Sequence, residues 1–122
     1  MDPLLLQMLA DDAECAANLT TLQFSMVDVS GTPAAAAKSL RNVREIGFYD
    51  CGGADDLLRA LEGSPAVEEI FFEMAITSEM IASMSTFSNL KKVTIYGYRV
   101  SAEQEALLRQ TLPRVEIVIE DG

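Results

Sequence analysis

The stretch NLKKVTIYGY, residues 89–98, places Leu90, Val93 and Ile95 at intervals of three and two. That spacing suits a buried strand, and it recurs. LTTLQF begins at Leu19, VREIGF at Val43, VEEIFF at Val67 and LKKVTI at Leu90, each with apolar residues in the first, fourth and sixth places. The starts lie 24, 24 and 23 residues apart. A fifth copy, VEIVIE, is read from Val115, 25 residues further on, and lacks one apolar place. A spacing near 24 held along one chain marks a series of equivalent units.

The segments between these copies carry helix signals. In TPAAAAKSL, Thr32 is placed to cap a helix with Pro33 in its first turn. ADDLLRALEGSP sets Leu57, Leu58 and Leu61 on one face, puts acids in the first turn and ends at Gly63 and Pro65. TSEMIASMSTF sets Met80, Ile81 and Met84 on one face. SAEQEALLRQTLP offers a capping box from Ser101 and Gln104 and a stop at Pro113. The opening DPLLLQMLADDAECAAN predicts one more helix, started by Asp2 and Pro3, as an N-terminal cap over residues 1–18.

A strand and a helix repeating at this interval resemble the leucine-rich repeat family, in its ribonuclease-inhibitor-like type. The family pattern LxxLxL reads as Leu19-Leu22-Phe24, Val43-Ile46-Phe48, Val67-Ile70-Phe72 and Leu90-Val93-Ile95. Of the turn positions where the family carries Asn or Cys, Cys51 matches, while Val27, Ala75 and Tyr98 do not. The resemblance covers residues 19–120. It implies a single α/β domain, residues 1–122, built as a short right-handed solenoid of five strand-helix repeats. Parallel strands would line its concave face behind the N-terminal capping helix.

Composition narrows the function. The chain has 122 residues, 49% of them hydrophobic, enough for one domain with a core. Nineteen acidic residues against 9 basic ones give a formal charge of −10. That balance argues against binding a phosphate backbone, which needs clustered Lys and Arg. There is no histidine, which removes the commonest general base and metal ligand. MDPLLLQMLADD has no basic residue before its short apolar run and does not read as a secretory signal. No apolar run is long enough to span a bilayer. Two cysteines, Cys15 and Cys51, fit a reducing compartment, so a cytoplasmic location is expected.

Three motifs are weighed as chemistry. VDVSGTP, residues 27–33, resembles the strand-loop segment of STAS domains, which would make Ser30 or Thr32 a phosphorylated switch in a mixed sheet with an antiparallel edge. The repeat explains the same residues as an ordinary strand-to-helix loop. DCGGADDLLR places Cys51 before a helix, but seven residues separate it from Arg59 where thiolate phosphatases have five. Asp55 and Asp56 would also repel an anion there, so Cys51 reads as a buried turn residue and Cys15 as core. The paired acids Asp11-Asp12, Asp55-Asp56 and Glu68-Glu69 do not face one another and have no partner base. No enzyme, cofactor or metal site is expected.

The outward places of the strands are more informative. They are Thr21, Gln23, Ser25 and Met26; Glu45, Gly47, Tyr49 and Asp50; Glu69, Phe71, Glu73 and Met74; Lys92, Thr94, Tyr96 and Gly97. In-register stacking aligns Ser25, Tyr49, Glu73, Tyr96 and Glu120 as one column. Glu45, Tyr49, Asp50, Glu69, Phe71, Glu73 and Tyr96 together form an acidic, aromatic strip suited to a basic protein or peptide partner. The expected function is therefore a non-enzymatic protein-interaction module, with the STAS-like switch as the alternative. Glu116, Glu120 and Asp121 on the last strand favour a monomer over an edge-to-edge dimer.

Overall fold

The same backbone geometry opens three successive strands, and one of its two bonds opens a fourth. Thr20 O accepts from Arg44 N (2.7 Å) and Glu45 N (3.1 Å), and Arg44 O accepts from Glu68 N (2.8 Å) and Glu69 N (3.0 Å). Glu68 O accepts from Lys91 N (2.7 Å) and Lys92 N (3.2 Å), and Lys91 O accepts from Glu116 N (2.8 Å). These bonds belong to a computed structural model that describes residues 20–26, 42–97 and 100–120. Its strands are β1 (Thr21–Ser25), β2 (Glu45–Tyr49), β3 (Glu69–Glu73), β4 (Lys92–Tyr96) and β5 (Glu116–Glu120). They form one sheet in sequence order, every neighbouring pair parallel. This is the order the repeat predicts; the antiparallel edge implied by the STAS resemblance is not seen among the described strands.

Register follows from the spacing. Leu22, Ile46, Ile70, Val93 and Ile117 align as one column, and Phe24, Phe48, Phe72, Ile95 and Ile119 as another. In the second column the rings stack, with centroids 5.9 Å apart for Phe24–Phe48 and 5.5 Å for Phe48–Phe72. The fifth copy differs from its expected frame. Pairing of Val93 with Ile117 and Ile95 with Ile119 puts Arg114, not Val115, in the first place of the repeat. Val118 lies across from Thr94, on the open face. The run VEIVI is apolar at nearly every position, so alternation alone left its frame uncertain by one residue, and the hydrogen-bond ladder decides it.

Among the described residues helices follow three of the strands: α1 (Ala54–Ala60), α2 (Ser78–Met84) and α3 (Ala102–Thr111). Leu57, Leu58, Leu61, Met80, Ile81, Met84 and Leu108 are buried in one cluster with the inward strand residues. The helices therefore cover one face of the sheet. Their ends match the signals in the sequence. Thr77 caps α2 by accepting from Met80 N (3.3 Å). Ser101 and Gln104 form the reciprocal capping box of α3. Gly63, just past α1, has φ +82°, a conformation that glycine adopts without a Cβ clash. The expected N-terminal cap, the TPAAAAKSL helix, Cys15, Leu19, Val27, Ser30, Thr32, Tyr98 and Asp121 lie outside the described residues.

Burial separates the two sides of a strand within single steps of the chain. Ile70 is 1% exposed, while its neighbour Glu69 is exposed on the opposite face. Replacing Ile70 with Ala is expected to cost about 2–5 kcal/mol, by lost transfer energy and the cavity left behind. Glu69→Ala is expected to cost less than about 1 kcal/mol. Urea melts of the two variants measure the difference, and equal losses would contradict the register.

Candidate functional site

The face not covered by the helices carries three columns of side chains. The first is Thr21, Glu45, Glu69, Lys92 and Glu116; the second is Gln23, Gly47, Phe71, Thr94 and Val118. The third runs Ser25, Tyr49 and Glu73, and its far end pairs Tyr96 with Glu120. The β3–β4 pairing ends at Phe72–Ile95, so Glu73 and Tyr96 occupy equivalent places without being a ladder pair. The sheet brings all seven sequence-predicted residues to this one face or its rim.

What the columns do not show is how the rings lie. Tyr49 is level with Glu73, yet its ring packs against Phe71 with a centroid distance of 5.3 Å and a tilt of 31°. It does so by leaning back over Gly47, which pairs with Phe71. A Cβ built on Gly47 would stand 2.9 Å from Tyr49 Cε2 and 3.5 Å from Tyr49 Oη. Gly47 is buried beneath this ring rather than outward and open as its place in the alternation suggested. Phe71 in turn neighbours Tyr96 at 6.4 Å. The result is a ribbon of three rings across three strands. Tyr49 and Phe71 are half-buried, and Tyr96 is 37% exposed.

Carboxylates border the ribbon. Glu45 and Glu69 sit level with each other on adjacent strands, one inter-strand spacing of about 4.8 Å apart in the backbone. Glu73 is half-buried, and Asp50 is exposed at the turn after β2. Among the described residues none of these four belongs to an ion pair. Between Tyr49, Phe71, Glu45 and Glu69 lies an open depression of about 330 Å³, with Lys92 on its far side. A second, of about 310 Å³, lies on the other side of Tyr49, against Met26, Asp50 and Glu73. Met26, 80% exposed, was recognised as outward but not as part of the strip.

The turns leaving β1, β2 and β4 also repeat. Met26, Asp50 and Gly97 occupy equivalent places, and all have positive φ: 53°, 57° and 76°. Each donates its backbone N–H to the end of the next strand, at Tyr49 O (2.7 Å), Glu73 O (3.3 Å) and Glu120 O (2.9 Å). Cys51 is buried, and its thiol donates to Phe24 O on β1 at 2.9 Å. It ties the turn after β2 to strand β1. Among the described residues no group of three His, Cys, Asp or Glu is arranged to hold a metal ion. None of the described helices is long and apolar enough to cross a membrane.

A charge network that the sequence reading did not single out lies at the strand starts. Glu68 is bonded to Lys91 Nζ at 2.7 Å and paired with Arg44 Nε at 3.7 Å. Arg44, Glu68 and Lys91 fall 24 and 23 residues apart, so the repeat itself is the signal that aligns alternate charges there. No family model, curated protein or solved structure matches this chain.

The hydrogen bond and charge of Lys91, with a further contribution from Arg44, hold the Glu68 carboxyl below the usual carboxylate range. A lowered folded-state value means that this contribution to stability is full above the unfolded value, about 4.3, and is lost as pH falls through the folded one. Glu68→Gln is therefore expected to lower the urea midpoint at neutral pH, with the gap closing in acid. A gap that stays constant between pH 7 and pH 3 would show that the carboxylate charge is not what Lys91 and Arg44 stabilise.

Proposed function

We propose that this chain is a short solenoid of leucine-rich-repeat type, closed at its start by a helix within residues 1–18. On this reading it is a non-enzymatic, cytoplasmic interaction module whose open sheet face docks a basic segment of a protein partner. The solenoid reading is supported by the repeated strand-start bonds, the repeated left-handed turns and the thiol of Cys51 reaching back to β1. The observation that carries the functional reading is the ribbon Tyr49–Phe71–Tyr96, on the face the described helices leave open and bordered by carboxylates that, among the described residues, belong to no ion pair. Aromatic rings supply contact area at little cost in side-chain entropy. Surrounding acids select a cationic partner and steer its approach.

Selection from a random peptide library on the immobilised chain is expected to enrich Lys- and Arg-rich sequences. Tyr49→Ala combined with Phe71→Ala should abolish capture of those peptides while the chain still melts cooperatively, at a lower temperature because two packed, half-buried rings are lost. Charge reversal at Glu45 and Glu73 should weaken capture more at low salt than at high salt, as screening predicts. Peptides that still bind all four changes would move the docking surface elsewhere, most simply to the helical side.

Acids on the last strand bear on assembly. Ile117, Val118 and Ile119 on β5 are half-buried, where Val93 and Ile95 on β4 are fully buried. Continuing the sheet through a second copy at this edge would bring Glu116 and Glu120 of both chains together, so the monomer is favoured. Light scattering at neutral pH and low salt is expected to give the mass of one chain; twice that mass would overturn it.

A further inference from the structure

The geometry points to the depression between Tyr49, Phe71, Glu45 and Glu69 as the seat of a single arginine side chain of the partner. This rests on the docking reading of the open face and specifies what that face holds. The depression, about 330 Å³, has room for one long side chain rather than for a folded surface. Its wall is the pair of tilted rings 5.3 Å apart, and Gly47 leaves the space beside them into which Tyr49 leans. An arginine stem can lie along those rings, because guanidinium groups stack on aromatic faces and are weakly hydrated.

The charges select the occupant. Glu45 and Glu69 are directly opposite across β2 and β3, an unfavourable placement for like charges, and neither has an ion-pair partner among the described residues. A planar guanidinium has five N–H donors, enough to bond both carboxylates at once. Lys92 borders Glu69 from β4, so the flank still lacking a cation is the one between Glu45 and Glu69, beside the rings. A lysine ammonium supplies the charge but is a compact point donor that does not stack, which ranks it below arginine. Two carboxylates without a third ligand make a poor seat for a bare metal ion.

The probe is a synthetic peptide with one arginine in an otherwise uncharged Gly-Ser-Ala sequence, with versions carrying lysine or citrulline at that place. Each is titrated into the ¹⁵N-labelled full chain at low salt, following the amides of Glu45, Gly47 and Glu69 and the ring protons of Tyr49 and Phe71. The arginine peptide is expected to bind at least about tenfold more tightly than citrulline, an isostere without the charge, and about threefold more tightly than lysine; tenfold corresponds to 1.4 kcal/mol. Glu45→Gln with Glu69→Gln should erase the arginine–citrulline difference while the chain keeps its melting temperature. Equal affinity for arginine and citrulline would overturn the seat. If the library-selected peptides nevertheless depend on Tyr49 and Phe71, the docking face stands without it. If they do not, the face falls as well. Arginine preference that persists in the double Gln variant would also overturn the seat, by placing the contact elsewhere.

Discussion

In-register parallel pairing of five short strands is the constraint on which the rest of this structure depends. β2, β3 and β4 each start with two backbone N–H groups donated to one carbonyl, at Thr20, Arg44 and Glu68 in turn, and β5 starts with one, to Lys91 O. Once those bonds are set, equivalent residues stand one strand spacing apart, and any property of one repeat becomes a column. On the covered side that produces the stack Phe24–Phe48–Phe72. On the open side it produces facing Glu45 and Glu69. The same geometry that makes a core out of repeated apolar residues makes an electrostatic conflict out of repeated acids.

The two faces differ in how that conflict is handled. At the strand starts the column alternates Arg44, Glu68 and Lys91, and Glu68 is held between opposite charges. On the open face Lys92 answers Glu69 from one side only, and Glu45 has no cation beside it in its column. Exposed ion pairs add little to stability, so neither arrangement is needed for folding.

The β5 edge of the sheet shows what strand pairing leaves undone. Inward residues of the central strands are essentially inaccessible, whereas those of β5 are only partly covered. α3 shares in this: Leu108 is buried while Leu107 is 36% exposed. β5 has a described neighbour on one side only, and its inward residues retain apolar exposure there.

The amino-acid sequence by itself determined which residues stand together. The intervals of 24, 24 and 23 set the strand order, and alternation within each copy set the faces, so Ile70 and Glu69 were assigned to opposite sides correctly. Helix ends were legible because capping is local: Ser101 and Gln104 need only each other. Only the tertiary structure decided what depends on neighbours in space. The frame of VEIVI had to be read from its bonds to β4, because Ile117, Val118 and Ile119 are consecutive apolar residues with no alternation to read. Tyr49 could be placed in a column but not oriented, since its ring direction follows from the missing side chain of Gly47 and the position of Phe71. Cys51 matched a pattern, but its partner, the Phe24 carbonyl 27 residues away, exists only once the strands are paired. Spacing specifies position along a repeat; side-chain direction and long-range bonds are settled by packing.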